Sequence, residues 1–182
     1  WCCLVGSEMC IRDSNSSVPV INALSDLSHP CQILADLMTF KENSANELEK
    51  VCWIGDGNNV CNSYVEASKI LDFELSIYCP KEYSPDPSFL NYAKENSSFA
   101  NSREEAAIGA DIITTDVWVS MGDEKTKERA FQGYFVDTGL IENTGKESIF
   151  LHCLPAHRGQ GITFELMEHC LLYTSPSPRD NT

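Results

Sequence analysis

The sequence predicts an α/β fold in which a parallel sheet is flanked by helices. Three observations carry this reading. Short apolar runs of strand length alternate with stretches of helical period. Pro, Gly, Asn and Asp punctuate the boundaries. The unusual polar motifs follow the strand runs, where open α/β sheets bind their ligands.

Pro30 stands at a first-turn position, and Ile33, Leu34, Leu37 and Met38 recur at helical spacing, so His29 to about Asn43 reads as an amphipathic helix. Val51–Ile54 is a short apolar strand that runs into Gly55-Asp56-Gly57-Asn58-Asn59. Val60, Tyr64, Ala67 and Leu71 then mark a second helix. Glu74–Tyr78 is a second strand closed by Pro80. Helices are expected over Pro87 to about Asn96 and over Arg103–Gly109. Asp111–Val117 is a third strand, followed by a helix from Lys125 to about Phe131. Ser148–Leu154 is a fourth strand, stopped by Pro155, and a last helix begins near Thr163. Repeated strand–helix units of this length imply right-handed crossovers and helices on both faces of the sheet.

The two ends read differently. Trp1–Ser14 has no sustained apolar period, and Cys170–Thr182 finishes in Ser-Pro-Ser-Pro-Arg-Asp, a composition expected to form nothing regular. Both are read as a non-native leader (1–14) and tail (170–182), with a genuine disordered terminus as the rival account.

Composition narrows the function. A hydrophobic share of 42% with 22% charged residues is that of a globular domain, and 182 residues allow one domain with part of another. A net charge of -14 argues against a nucleic-acid partner, which clustered Lys and Arg would bind. The acidity mildly suits a cationic small molecule, with solubility as the preferred account. No apolar run reaches membrane-spanning length, so no membrane partner is expected. Cys31, Cys52, Cys61, Cys79 and Cys153 form no CxxC pair and have no His at zinc-site spacing. They read as free thiols in a reducing cytoplasm, without a metal.

Four motifs carry the chemistry. His29-Pro30-Cys31-Gln32 opens a helix, where free N–H groups suit an anion or a polarised carbonyl; a histidine merely capping the helix is the plain alternative. Gly55-Asp56-Gly57-Asn58-Asn59 joins a strand to a helix, but Val60 occupies the third glycine position of a dinucleotide fingerprint, which favours a small polar ligand. Asp116-Val117-Trp118-Val119-Ser120-Met121-Gly122 puts a carboxylate at a strand end, fit to pair with an ammonium group or simply to cap a turn. His152-Cys153-Leu154-Pro155-Ala156-His157 sets a thiol beside imidazoles. His152 and Cys153 point to opposite faces of a strand, leaving His157 as the available base for a covalent role.

Together, and in this order, these motifs resemble those of ornithine carbamoyltransferases, within the aspartate/ornithine carbamoyltransferase family. The resemblance covers about Ser16 to His169 and includes Val18–Asp26 ahead of the first motif. Ser120-Met121-Gly122 and His152-Cys153-Leu154-Pro155 are the part that separates ornithine enzymes from aspartate enzymes.

The resemblance implies a Rossmann-like ornithine-binding domain over 46–169, preceded by the end of the carbamoyl-phosphate domain and its linking helix over 15–45. It implies transfer of the carbamoyl group of carbamoyl phosphate to L-ornithine, giving citrulline and phosphate, with no cofactor. His29 and Gln32 would contact the carbamoyl group. Asn59, Asp116, Ser120 and Met121 would bind ornithine, and Cys153 and Leu154 would line the meeting point. His29, Asp116 and Cys153 are the catalytic candidates: His29 polarises the carbonyl, while Asp116 and Cys153 orient the amine and manage its proton. The family's Ser-Thr-Arg-Thr-Arg phosphate-binding segment does not occur here. The chain therefore reads as a fragment, inactive alone, of an enzyme whose full-length members are homotrimers. Rival readings are a carbamoyltransferase for acetylornithine or putrescine, a non-catalytic small-molecule- or dinucleotide-binding module, and a cysteine hydrolase using Cys153 and His157. Cys79-Pro80 stands where a dinucleotide module would carry an acid after its second strand.

Overall fold

The structure is a computed structural model. It describes residues 14–118, 126–153, 156, 159, 161–168 and 172–175; within that set, only the backbone of 126, 128 and 172–175 is described. Six parallel strands form one sheet in the order β3-β2-β1-β4-β5-β6. They are β1 (Lys50–Ile54), β2 (Glu74–Tyr78), β3 (Ser97–Phe99), β4 (Ile112–Thr115), β5 (Ile149–Cys153) and β6 (Leu172–Ser175). The order runs outward from β1 to β3, then restarts on the other side of β1 with β4. The gap between β1 and β4 is therefore the topological switch point, where the connecting helices diverge to opposite faces and leave a crevice.

The helices are α1 (Pro30–Asn43), α2 (Asn59–Leu71), α3 (Pro87–Tyr92), α4 (Arg103–Ala107), α5 (Thr126–Ala130), α6 (Thr138–Glu142) and α7 (Phe164–Met167). Strand residues of one parity, Val51, Trp53, Leu75, Ile77, Ile112, Ile149 and Leu151, pack with Ile33 and Phe40 of α1 and Val60, Tyr64 and Val65 of α2. Residues of the other parity, Cys52, Ile54, Ile113 and Phe150, pack with Ala106, Ala107, Leu140, Ile141 and Leu166 from α4, α6 and α7. Central strands buried on both faces explain why the sequence shows unbroken apolar runs rather than alternation.

Several boundaries differ from those the sequence predicts, each for a local reason. The helix after Pro87 ends at Tyr92, and the chain then adds the short strand β3, whose polar Ser-Ser-Phe composition carries no periodic signal. Helix α6 is also unanticipated, although Asp137 caps it by accepting from the Leu140 N–H. On α1 the expected apolar face is only partly right. Gln32, Ile33, Asp36 and Phe40 are buried, whereas Leu34 and Met38 are 67% and 61% exposed. The inner face of α1 is thus half polar. Finally, Leu172–Ser175 pairs with β5, against the expectation that the tail forms nothing regular. Leu-Tyr-Thr is strand-favouring composition ahead of the Ser-Pro repeat, and it lies along the open edge of β5.

Among the described residues, no helix is long and apolar enough to cross a membrane, and no cluster of His, Cys, Asp and Glu is placed to hold a metal ion.

Candidate functional site

The loop after β1 is shaped by its glycines. Gly55 has φ 132° and lies against Thr115, a backbone state that a side chain would strain. At Gly57 the constraint is space, because an added Cβ would stand 2.3 Å from the Pro85 nitrogen and 2.4 Å from the Ser84 carbonyl carbon. The loop is thereby pressed against the segment after β2 and delivers Asn58 to the switch point.

Asn58 serves two elements at once. Its side-chain oxygen caps α2 by accepting from the N–H groups of Val60 and Cys61, at 3.0 and 3.1 Å. With the oxygen so occupied, its Nδ2 points the other way and donates to Asp116 Oδ2 at 2.7 Å. Asp116 follows β4 and is 8% exposed. Its other oxygen accepts from the Val117 N–H at 2.8 Å and from the Cys153 thiol, at the end of β5, at 2.7 Å. Three donors from three chain segments fix one carboxylate at the carboxyl ends of β1, β4 and β5.

That arrangement sets the state of Cys153. Burial pushes its thiol well above the usual range, and the Asp116 carboxylate, as neighbouring charge and hydrogen-bond acceptor, pushes it further. A cysteine hydrolase needs the reverse, a thiolate favoured by a nearby cation. His152 does not provide one: it packs edge-on against Phe150, ring centroids 6.4 Å apart, on the opposite side of the sheet from Cys153. His157 lies outside the described residues.

The start of α1 forms the second wall. His29 caps the helix, its Nδ1 accepting from the Gln32 N–H at 3.3 Å. A ring nitrogen that accepts carries no proton, so neutral His29 bears its hydrogen on Nε2 and is a donor there. The His29 backbone N–H donates to Ser63 Oγ at 2.7 Å, and Asn62 and Asn59 of α2 donate to the carbonyls of Leu27 and Ser25. One turn into α1, Gln32 Nε2 donates to Asp36 Oδ1 at 2.9 Å, and Tyr64 Oη donates to Asp36 Oδ2 at 2.7 Å. These are the polar groups that the inner face of α1 buries.

The structure therefore brings Asp116 and Cys153 into contact and sets His29 and Gln32 on the adjoining helix start. Asn59, at the start of α2, turns its amide nitrogen to the Ser25 carbonyl rather than to Asp116. Ser120, Met121 and Leu154 lie outside the described residues. Sequence reasoning passed over Asn58 in favour of its neighbour, although both belong to the same motif. It also missed Asp36 and Tyr64, which lie 28 positions apart, and the ion pair of Lys127 with Asp56 at 2.7 Å, which ties α5 to the loop after β1.

A six-stranded parallel sheet with its polar residues gathered at the switch point defines an α/β domain of the kind that binds small molecules in that crevice. Comparison with known proteins narrows the class. Residues 48–171 match the profile of the aspartate/ornithine carbamoyltransferase Asp/Orn-binding domain, and residues 7–42 match that of the family's carbamoyl-P-binding domain. The chain belongs to the aspartate/ornithine carbamoyltransferase family. It is 48% identical over 160 residues to the ornithine carbamoyltransferase of Acinetobacter baylyi, covering 86% of this chain and 52% of that one. It superposes on the ornithine carbamoyltransferase of Thermus thermophilus with a TM-score of 0.83 at 38% identity, covering 93% of this chain and 57% of that one. The Pyrococcus furiosus enzyme gives 0.84 at 34% identity, with coverages of 93% and 58%. The chain thus spans about half the length of the curated relatives it matches.

Proposed function

We propose that this chain carries the amine-binding half of an ornithine carbamoyltransferase site, with residues 46–169 as the ornithine-binding domain and 15–45 as the end of the carbamoyl-phosphate domain. The observation that carries the reading is the Asp116 carboxylate, held by Asn58, the Val117 N–H and the Cys153 thiol at the switch point.

In the reaction, the side-chain amine of ornithine attacks the carbamoyl carbon of carbamoyl phosphate. The carbon–oxygen bond to phosphate breaks, phosphate leaves with the bonding pair, and the amine gives up one proton. That amine arrives protonated at neutral pH, like a lysine, so it first sheds that proton to become the nucleophile. The departing phosphate, a base, can take up the second proton, released as the carbon–nitrogen bond forms. Asp116 pairs with the ammonium and orients it. Cys153, kept as a neutral thiol, lines the same spot without competing as a nucleophile. His29, with its hydrogen on Nε2, donates to the carbamoyl oxygen as negative charge develops there. Gln32 meets the carbamoyl nitrogen. Asn59, Ser120, Met121 and Leu154 complete the amino-acid pocket by likeness to the family motifs.

Calorimetry tests this on the 182-residue chain. L-Ornithine should bind, with acetylornithine and putrescine binding more weakly. Asp116→Ala should weaken ornithine by about 2 kcal/mol, roughly 30-fold, the scale of a hydrogen bond to a charged group. The chain alone should make no citrulline, because the Arg-rich phosphate-binding segment is absent from its sequence. Preference for putrescine or acetylornithine would move the specificity to the other amine, and a folded chain binding none of the three would refute the reading.

A further inference from the structure

We propose that Asp36 is a positioning residue: it fixes the side-chain amide of Gln32 so that the amide oxygen is the acceptor offered to the acyl group of the substrate. This selects an acyl group that bears N–H, the carbamoyl class, over one that bears a methyl. The inference rests on the reading of Gln32 as the partner of the carbamoyl nitrogen.

Donors and acceptors decide which way the amide faces. A side-chain amide has a donating end and an accepting end, and either orientation fills the same space. Gln32 and Asp36 lie one turn apart on α1, 3% and 5% exposed. A carboxylate only accepts, so the amide end facing Asp36 Oδ1 at 2.9 Å is the nitrogen; the reverse would set two oxygens against each other. Asp36 is itself held. Its second oxygen accepts from Tyr64 Oη at 2.7 Å, and Tyr64 is fully buried against Trp53, ring centroids 5.7 Å apart.

The anchor therefore comes from α2, across the seam between the two family profiles, and it leaves Gln32 Oε1 as the end turned away from Asp36. An acceptor there satisfies the amino group of a carbamoyl and has nothing to offer the methyl of an acetyl group of similar size. Asp36 touches no substrate in this account. It acts through Gln32.

The test uses the isotopically labelled 182-residue chain, with the Gln32 side-chain amide identified by its loss in Gln32→Glu. In the wild type, that amide should exchange with solvent at least tenfold more slowly than an exposed glutamine, as expected for a buried, bonded donor, with about a tenfold acceleration in Asp36→Asn. Where Asp36→Asn fails to fold, Tyr64→Phe keeps the carboxylate and should accelerate exchange by about threefold. Titration with carbamoyl phosphate and acetyl phosphate reads the selectivity. Carbamoyl phosphate should bind about tenfold more tightly, the scale of one hydrogen bond, with the ratio falling towards one in Asp36→Asn. An amide that exchanges like an exposed glutamine overturns the positioning role. Equal binding of the two phosphates overturns the acyl selectivity alone. If neither phosphate shifts any site resonance while the amide stays protected, the acyl selectivity falls for this chain. The carbamoyltransferase reading is then judged by the ornithine titration alone, since the Arg-rich segment that would hold phosphate is absent from the sequence.

Discussion

Replacing Asp36 with asparagine should change the pH dependence of stability in a direction and amount fixed by the burial of this carboxyl group. Burial is the largest influence on it and raises its pKa from 3.8 to about 6, against the opposing hydrogen bonds from Tyr64 and Gln32. A carboxyl group with a raised folded-state pKa holds its proton more tightly folded than unfolded. Between those two values the native state binds more protons, so the stability contributed by Asp36 is greatest at low pH and declines as pH rises towards 6. The interval of 3.8 to about 6 corresponds to about 3 kcal/mol at 1.36 kcal/mol per pKa unit. Asparagine does not titrate. The stability of Asp36→Asn minus that of the wild type should therefore climb by most of about 3 kcal/mol between pH 4 and pH 7, then level off. The hydrogen bonds to the charge are already contained in the value of about 6, so only the pH-independent difference between asparagine and the protonated carboxyl group offsets the curve, without changing its slope. Urea unfolding of both chains across that range measures the difference, and every group common to both cancels. A difference flat to within about 0.5 kcal/mol would refute the claim that this carboxylate is buried at a cost.

Two further substitutions probe the crevice, with a third, Gly139→Ala, as the control. Gly57→Ala places a methyl group 2.3 Å from the Pro85 backbone and should destabilise by about 3 kcal/mol in urea unfolding, whereas Gly139→Ala, whose Cβ meets only Asp137 Oδ1 at 3.5 Å, should be neutral or slightly stabilising. Asp116→Asn removes a charge that raises the Cys153 pKa, so alkylation of Cys153 at pH 8, followed by peptide mapping, should quicken about three- to tenfold while burial keeps the thiol above its ordinary range. An unchanged rate would mean that the two side chains are not in contact.

What the sequence revealed, and what it concealed, follows from how local each signal is. Pro30 and Pro87 announced helix starts because their fixed backbone angle suits a first turn. Val51–Ile54 of β1 and Ile149–Leu151 of β5 stood out as continuous apolar runs because both faces of the sheet are covered, while β2 and β4 mix Ser and Thr with their apolar residues. The tail strand was hidden by the Ser-Pro repeat that follows it. At the site, Asp116 and Cys153 were legible as polar residues at strand ends, but their contact spans 37 positions and had no local trace. Asn58 was legible only as one of two adjacent asparagines. Its cap on α2 decides which of them faces Asp116. The link from Gln32 through Asp36 to Tyr64 was illegible for a different reason: helical periodicity counts apolar residues, and this helix buries two polar ones.

The strand order has a consequence for when the site comes into being. Asn58 meets Asp116 across 58 positions, and Asp116 meets Cys153 across a further 37, so these contacts close only after β4 has docked beside β1 and β5 beside β4. Long loops must be closed before either contact can form, which places the crevice late in assembly. A partly folded chain, with α2 and the β1–β2 pair in place, would hold the Asn58 cap on α2 and no carboxylate cradle. Any small molecule captured there favours only the finished sheet, so its binding energy stabilises the whole domain rather than one loop.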